Sequence, residues 1–309
     1  MPTTPLLSRR QAMLTGAALP FAGALLPAAA QASAPQLGPS MAQINRFKLG
    51  GFEVTALLAG TRKVPEPHKI FGLNVDDADF AKVSAQNFLP TAAAQFFFTP
   101  TLVNTGKELV LFDTGLNAAG ITGALQAAGY RPDQVDVVVL THMHPDHIGG
   151  MMADKAATFP KARYVTGRVE FDFYAKANNK LFDANVRPFA DKMTYVEDGG
   201  TVAPGITAIF APGHTPGHMA YHIESEGHGL LITADTANHY VWSLGYPDWE
   251  VSFDADKAEA AKTRRKIFGM LASDKMAFIG YHMPFPAMGY VETMGTGFRY
   301  VAASYQMML

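Results

Sequence analysis

Thr141-His142-Met143-His144-Pro145-Asp146-His147 follows directly on Val135-Asp136-Val137-Val138-Val139-Leu140. The β-branched run has the composition of a strand buried on both faces, so the seven residues after it form a loop at the end of that strand. Three imidazoles and a carboxylate then fall within the six positions 142–147. Imidazole and carboxylate together suit zinc and other borderline divalent metals. One buried structural histidine needs no special reading, but three around an aspartate do. Four such groups packed this closely cannot all reach one ion comfortably, whereas they can serve two ions a few ångströms apart, an arrangement suited to hydrolysis.

Working outward, every other strong ligand candidate also sits where a strand ends. His214 follows a strand at 206–210, inside Ala211-Pro212-Gly213-His214-Thr215-Pro216-Gly217-His218, and Asp235 ends Leu230-Leu231-Ile232-Thr233-Ala234. His282 follows Met276-Ala277-Phe278-Ile279-Gly280, read as the last core strand. Loops at strand ends converge on one edge of a sheet, so residues far apart in sequence can share a site.

Other elements fill in around these. Phe52–Leu58 reads as a first strand, and 101–105 with 108–112 read as a hairpin about Gly106-Lys107. Residues 117–129 give a short helix, and further strands are expected at 162–166, 218–224 and 229–234. Helical patterns occupy 168–178 and 254–272, the second with Asp254 as its N-cap. Hairpins alternate with βα units, which predicts an α/β domain with mixed sheets covered by helices.

Composition excludes several functions. Among 309 residues, 25 basic side chains against 27 acidic ones leave no electrostatic reason to expect nucleic acid or an anionic membrane surface. The one dense basic run, Lys262-Thr263-Arg264-Arg265-Lys266, reads as a solvated helix face. There is no cysteine, so disulfides, thiolate ligands and a cysteine nucleophile are ruled out, and a metal must be held by carboxylates and some of the 10 histidines.

The first 34 residues read differently from the rest. Ser8-Arg9-Arg10 precedes an Ala- and Leu-rich stretch from Ala17 to Ala30, and small residues follow at Ala30-Gln31-Ala32 and Ala32-Ser33-Ala34. This is the pattern of a bacterial export signal of the twin-arginine type, at 1–32, with cleavage after Ala32 because Pro35 would crowd a later cut. A periplasmic or secreted protein is expected, with a flexible lead-in at 33–45, a hydrolase domain at 46–309 and no membrane span.

The mature chain resembles the metallo-β-lactamase superfamily. The matching pieces are Phe112-Asp113-Thr114-Gly115, the His142–His147 motif, Pro212-Gly213-His214-Thr215, Ala234-Asp235 and His282. The resemblance implies an αββα sandwich with the site at one edge of its two sheets. It also implies that His142, His144 and His214 hold one metal, that Asp146, His147 and His282 hold a second, and that Asp235 bridges them, the ions being zinc. Asp113 would brace the ligand loop. Asp235 and Asp146 are the implied catalytic carboxylates, with a metal-bridging hydroxide as the attacking group.

Within that superfamily the chain resembles the secreted methyl parathion hydrolase group and related lactonases. The similarity is carried by Gly51–Leu57, Leu102–Gly106, His282-Met283-Pro284-Phe285-Pro286 and Gly297-Phe298-Arg299-Tyr300-Val301. The implied partner is a small-molecule lactone, related ester or phosphotriester, with a second copy of the chain as the protein partner. A β-lactamase and a non-catalytic zinc-binding protein are the weaker alternatives. Phe71, Phe96-Phe97-Phe98, Phe189 and Trp242 are candidates for the substrate wall, and His239 and Tyr240 for the pocket. His218 reads as a packing residue, His222 and His228 as solvated hairpin residues, and His68 carries no signal of its own.

Overall fold

A computed structural model describes residues 34–305, so the export-signal reading at 1–32 lies outside the described residues. Residues 34–40 are exposed and without regular structure, and the folded unit runs from Met41 onward. Its first strand is Ile44–Leu49, so the lead-in read as ending at 45 ends slightly earlier.

Two seven-stranded mixed sheets face each other. The first pairs the antiparallel strands Ile44–Leu49, Phe52–Leu57, Thr101–Asn104 and Leu109–Phe112, then continues in parallel through Val137–Leu140, Arg163–Gly167 and Met193–Val196. Alternation along its central strands divides the hydrophobic residues between two cores. Val110, Phe112, Val137 and Val139 point between the sheets, while Leu109, Leu111, Val138 and Leu140 point to a second cluster. That second cluster is closed by helices Ala118–Ala127, Arg168–Lys176 and Lys180–Asn185. A strand covered on both faces must be apolar at every position, which is why Val137–Leu140 was legible as a continuous run.

The second sheet is built from Thr201–Ala203, Ile206–Phe210, Met219–Ser225, His228–Ala234, Ala277–Gly280, Met288–Met294 and Gly297–Ala302. Ala277–Gly280 is therefore not the last core strand, because a C-terminal hairpin continues the sheet beyond it. Helix Lys257–Asp274 covers the outer face through Ile267, Phe268 and Leu271. The result is the expected αββα sandwich.

Two readings of that helix are corrected. Its N-cap is Asp256, whose side chain accepts from the Glu259 N–H, and not Asp254. The basic run is a solvated face at Lys262, Arg265 and Lys266 but not throughout: Thr263 and Arg264 lie in the buried stripe with Ala260, Ile267 and Phe268. Arg264 is 0% exposed, its charge met by Asp254 and its remaining donors by the carbonyls of Pro247 and Trp249.

A separate antiparallel hairpin, Gly60–Pro65 with Ala93–Phe98, stands outside both sheets. It packs with helix Asp77–Gln86 into a third apolar cluster that includes Phe71, Phe80, Trp242 and Trp249. None of the helices among the described residues is long and apolar enough to cross a membrane.

Candidate metal centre

The loops after four strands meet at one edge of the sandwich and bring all seven expected residues together. His142, His144 and His214 offer nitrogens within 4.8 Å of one another, as do the ligand atoms of Asp146, His147 and His282. Asp235 stands between the two groups. Its Oδ2 lies 3.4 Å from His214 Nε2 and 3.2 Å from His282 Nε2, and its Oδ1 lies 3.3 Å from His147 Nε2. Ala234, just before it, has φ +44°, a left-handed turn that ends the strand and costs an alanine some backbone energy.

The outer nitrogen of each deeply set imidazole is already committed. His147 Nδ1 is 2.8 Å from Asp113 Oδ2, His214 Nδ1 is 3.0 Å from Asp254 Oδ1, and His282 Nδ1 is 2.9 Å from the carbonyl of Phe97. His142 Nδ1 is 3.1 Å from the Thr141 hydroxyl, which itself donates to Asp113. These acceptors hold a proton on Nδ1 and turn each Nε2 inward, where it can meet a proton or a cation. His142 Nε2 and His214 Nε2 thus face each other at 3.2 Å, with His144 Nδ1 2.9 Å from the latter. Lone pairs gathered this way fit a cation. Buried His147 Nε2 and Asp235 Oδ1 make no hydrogen bond at all, which fits a second.

Electrostatics agree. Burial holds the pKa of His142 well below the ordinary imidazole range and that of His144 at about 3, so both are neutral, as ligands must be. Burial opposes charge on His147 and His282 too, but nearby carboxylates outweigh it. Asp113, Asp235 and Asp146 raise His147 well above its usual value, and Asp235 and Asp146 raise His282 to about 10. A field that draws protons this strongly attracts metal cations in the same way.

Residues behind the cluster hold it in place. Asp113, itself at φ +62°, accepts from both the N–H and the hydroxyl of Thr141 and so locks the start of the ligand loop. His218 packs beneath, its Nδ1 to the Ala211 carbonyl and its Nε2 accepting from the Asp235 N–H, as its packing reading required. Two braces were not foreseen. Asp254 joins His214 to Arg264, and Asn238 donates to Asp235 Oδ2 at 2.8 Å.

Glu170 was missed as well. Wholly buried, it accepts from the Met143 N–H, the Thr215 hydroxyl and the Gly217 N–H, tying the loop of His142 and His144 to the loop of His214. Burial raises its pKa to about 7 against those three bonds. An acid one turn inside a helix pattern gives no sequence signal for such a role.

A cleft of about 420 Å³ opens over the cluster, lined by Val64, Phe96, Phe98, Leu116 and Phe253 beside His144, Asp146, His214, Asp235 and His282. Phe96 and Phe98 meet the His282 ring edge-on at 5.5 and 5.7 Å. The remaining wall candidates lie elsewhere. Phe189 packs against Tyr164 under the first sheet, while Phe71 and Trp242 belong to the third cluster, His239 stacks on Trp242, and none of the three lines the cleft.

A family model described as the metallo-beta-lactamase superfamily matches residues 99–274, more than half of the chain. An N-acyl homoserine lactonase of Bacillus thuringiensis is 29% identical over 118 residues, 38% of this chain and 44% of that protein. A hydroxyacylglutathione hydrolase of Aeromonas salmonicida (strain A449) is 33% identical over 106 residues, 33% of this chain and 34% of that protein. The chain thus spans less than half the length of these curated relatives. Among solved structures, AidC, a dizinc quorum-quenching lactonase, superposes with a TM-score of 0.77 at 25% identity over 85% of this chain and 98% of its own. The hydrolase AbOPH superposes at 0.79 and 24% identity over 86% and 99%, a likeness of fold.

Proposed function

This chain belongs to the metallo-beta-lactamase superfamily, and we propose that it is an exported, dinuclear zinc hydrolase that opens lactones or cleaves related esters. The observation that carries this reading is the position of Asp235, within 3.4 Å of nitrogens from both clusters and at the floor of an apolar cleft. A closed storage site would have no use for such a cleft. The lactonases among the relatives and solved structures support the substrate class.

His142, His144 and His214 would hold one ion and Asp146, His147 and His282 the other, with Asp235 shared. When bound, the pair would polarise a carbonyl or phosphoryl oxygen and lower the pKa of water. The protein supplies the rest. Asp235, with Oδ2 fixed by Asn238 and Oδ1 free of any hydrogen bond, would take the proton of the attacking water and deliver it to the leaving oxygen. Asp146 lines the cleft beside it and would steady the reacting end of the substrate. Phe96, Phe98 and Phe253 would hold the apolar part and keep bulk water away.

The test joins metal analysis to a substrate panel on one preparation: an N-acyl homoserine lactone, an aryl lactone, an aryl ester, paraoxon and nitrocefin. Turnover of the lactones or ester, lost with a chelator and restored by zinc, is expected. Protein carrying two ions that turns over none of them would refute the proposal, and higher efficiency on paraoxon would assign it to phosphotriesters instead.

A further inference from the structure

The cleft contains one charged side chain that belongs to neither metal cluster. Arg62 lies on the strand Gly60–Pro65, directly opposite Phe96 in the hairpin register. On that face the neighbouring pairs are Gly60 with Phe98 and Val64 with Ala94. Side chains opposite one another in an antiparallel pair project to the same side. The hairpin therefore offers the cleft Phe96, Phe98, Val64 and a single guanidinium.

That guanidinium has no partner. Elsewhere among the described residues Arg163 meets Glu108, Arg187 meets Asp183, Arg264 meets Asp254 and Arg299 meets Glu292. The other described arginines likewise find an acid, a carbonyl or a ring. Among the described arginines only the Arg62 side chain makes no ion pair, hydrogen bond or ring contact, and it is the one of them that lines the cleft. The acids nearest the cleft floor, Asp146 and Asp235, are taken by His147, His214 and His282. Arg62 is exposed at the rim of the cleft, and its guanidinium is a planar fork of donors that matches a carboxylate brought to it.

We propose that the substrate carries a carboxylate on the part remote from the bond that is hydrolysed, and that Arg62 is the specificity-determining residue that receives it. This rests on the hydrolase reading above for which bond is broken, but recognition of the anion does not depend on turnover.

Two six-carbon probes separate the possibilities. Adipate has one carboxylate for the metal cluster and a second for Arg62, whereas hexanoate has only one. Calorimetry on the zinc-loaded protein should show adipate binding about 10-fold more tightly than hexanoate. That ratio should fall to near one in Arg62→Met and be partly kept in Arg62→Lys. Equal binding of the two acids, or a ratio that persists in Arg62→Met, would overturn the proposal. The matching esters, mono-4-nitrophenyl adipate and 4-nitrophenyl hexanoate, complete the test. Turnover of both without preference would leave the hydrolase reading standing and remove the role of Arg62. An Arg62-dependent preference for adipate without turnover of either ester would do the reverse.

Discussion

Asp254 places one oxygen 3.0 Å from Nδ1 of His214 and the other 2.8 Å from the buried guanidinium of Arg264. One carboxylate thus orients a histidine of the candidate metal cluster and neutralises the one buried arginine among the described residues, on the inner face of the covering helix. Removing it strands a charge that is 0% exposed. Asp254→Ala should cost about 3–5 kcal/mol in urea unfolding. Arg265→Ala, which breaks a largely exposed pair with Asp248, should cost less than about 1 kcal/mol. Similar costs for the two would show that Asp254 is not acting through charge compensation.

Because His282 groups with Asp146 and His147 and not with His142, His144 and His214, its loss should release one ion and leave the other. Elemental analysis should find about two ions per chain in the unaltered protein and about one in His282→Ala. A His282→Ala protein that still retains both would place the second ion elsewhere.

Two glycines test how tightly the ligand loops are packed. A Cβ at Gly217 would lie 2.1 Å from the backbone nitrogen of Glu170, and backbone has little room to retreat. Gly217→Ala should therefore cost about 3 kcal/mol and lower metal content, since it pushes the His214 loop off its brace. Gly269, within helix Lys257–Asp274, has open space at the same point. Gly269→Ala should raise stability by about 0.5–1 kcal/mol. Thermal melts of the two variants, read side by side, check both signs.

Glu170 predicts a pH dependence. Burial lifts its pKa to about 7 from the ordinary 4.5, so between these values the folded chain keeps a proton that the unfolded chain has lost. Stability from this group is therefore full below pH 4.5, falls as pH rises, and levels off above 7 at a deficit of about 3 kcal/mol. Glu170→Gln cannot ionise. The stability of the unaltered protein relative to this variant should fall by about that amount between pH 4.5 and 7, measured by urea midpoints. A constant difference would mean that Glu170 is ionised throughout.

The sequence revealed those parts of the fold whose cause is local. Val137–Leu140 is apolar at each position because it is covered on both sides, and the ligand residues follow strand ends because loops begin there. Arg264 was misread because its partner lies ten residues away on a different element, and nothing in a basic run distinguishes the one cation that turns inward. Asp254 was misread for a related reason: an aspartate ahead of a helix suits a cap, and only the fold shows that Asp256 takes that place. The C-terminal hairpin was missed because Met288–Met294 is exposed toward its end and lacks a continuous apolar signal. Glu170 acts through distant contacts that no spacing encodes.

The hairpin Gly60–Pro65 and Ala93–Phe98 stands apart from the two sheets whose strand ends carry the metal cluster. The floor of the cleft and part of its wall are therefore built by different pieces of the molecule. Substitutions at Arg62 or Val64 can redraw the cleft wall while the strands beneath His142, His214 and Asp235 keep their register. In evolutionary terms, such a chain can acquire a new cleft wall by small changes in a peripheral ribbon without rebuilding the floor beneath it.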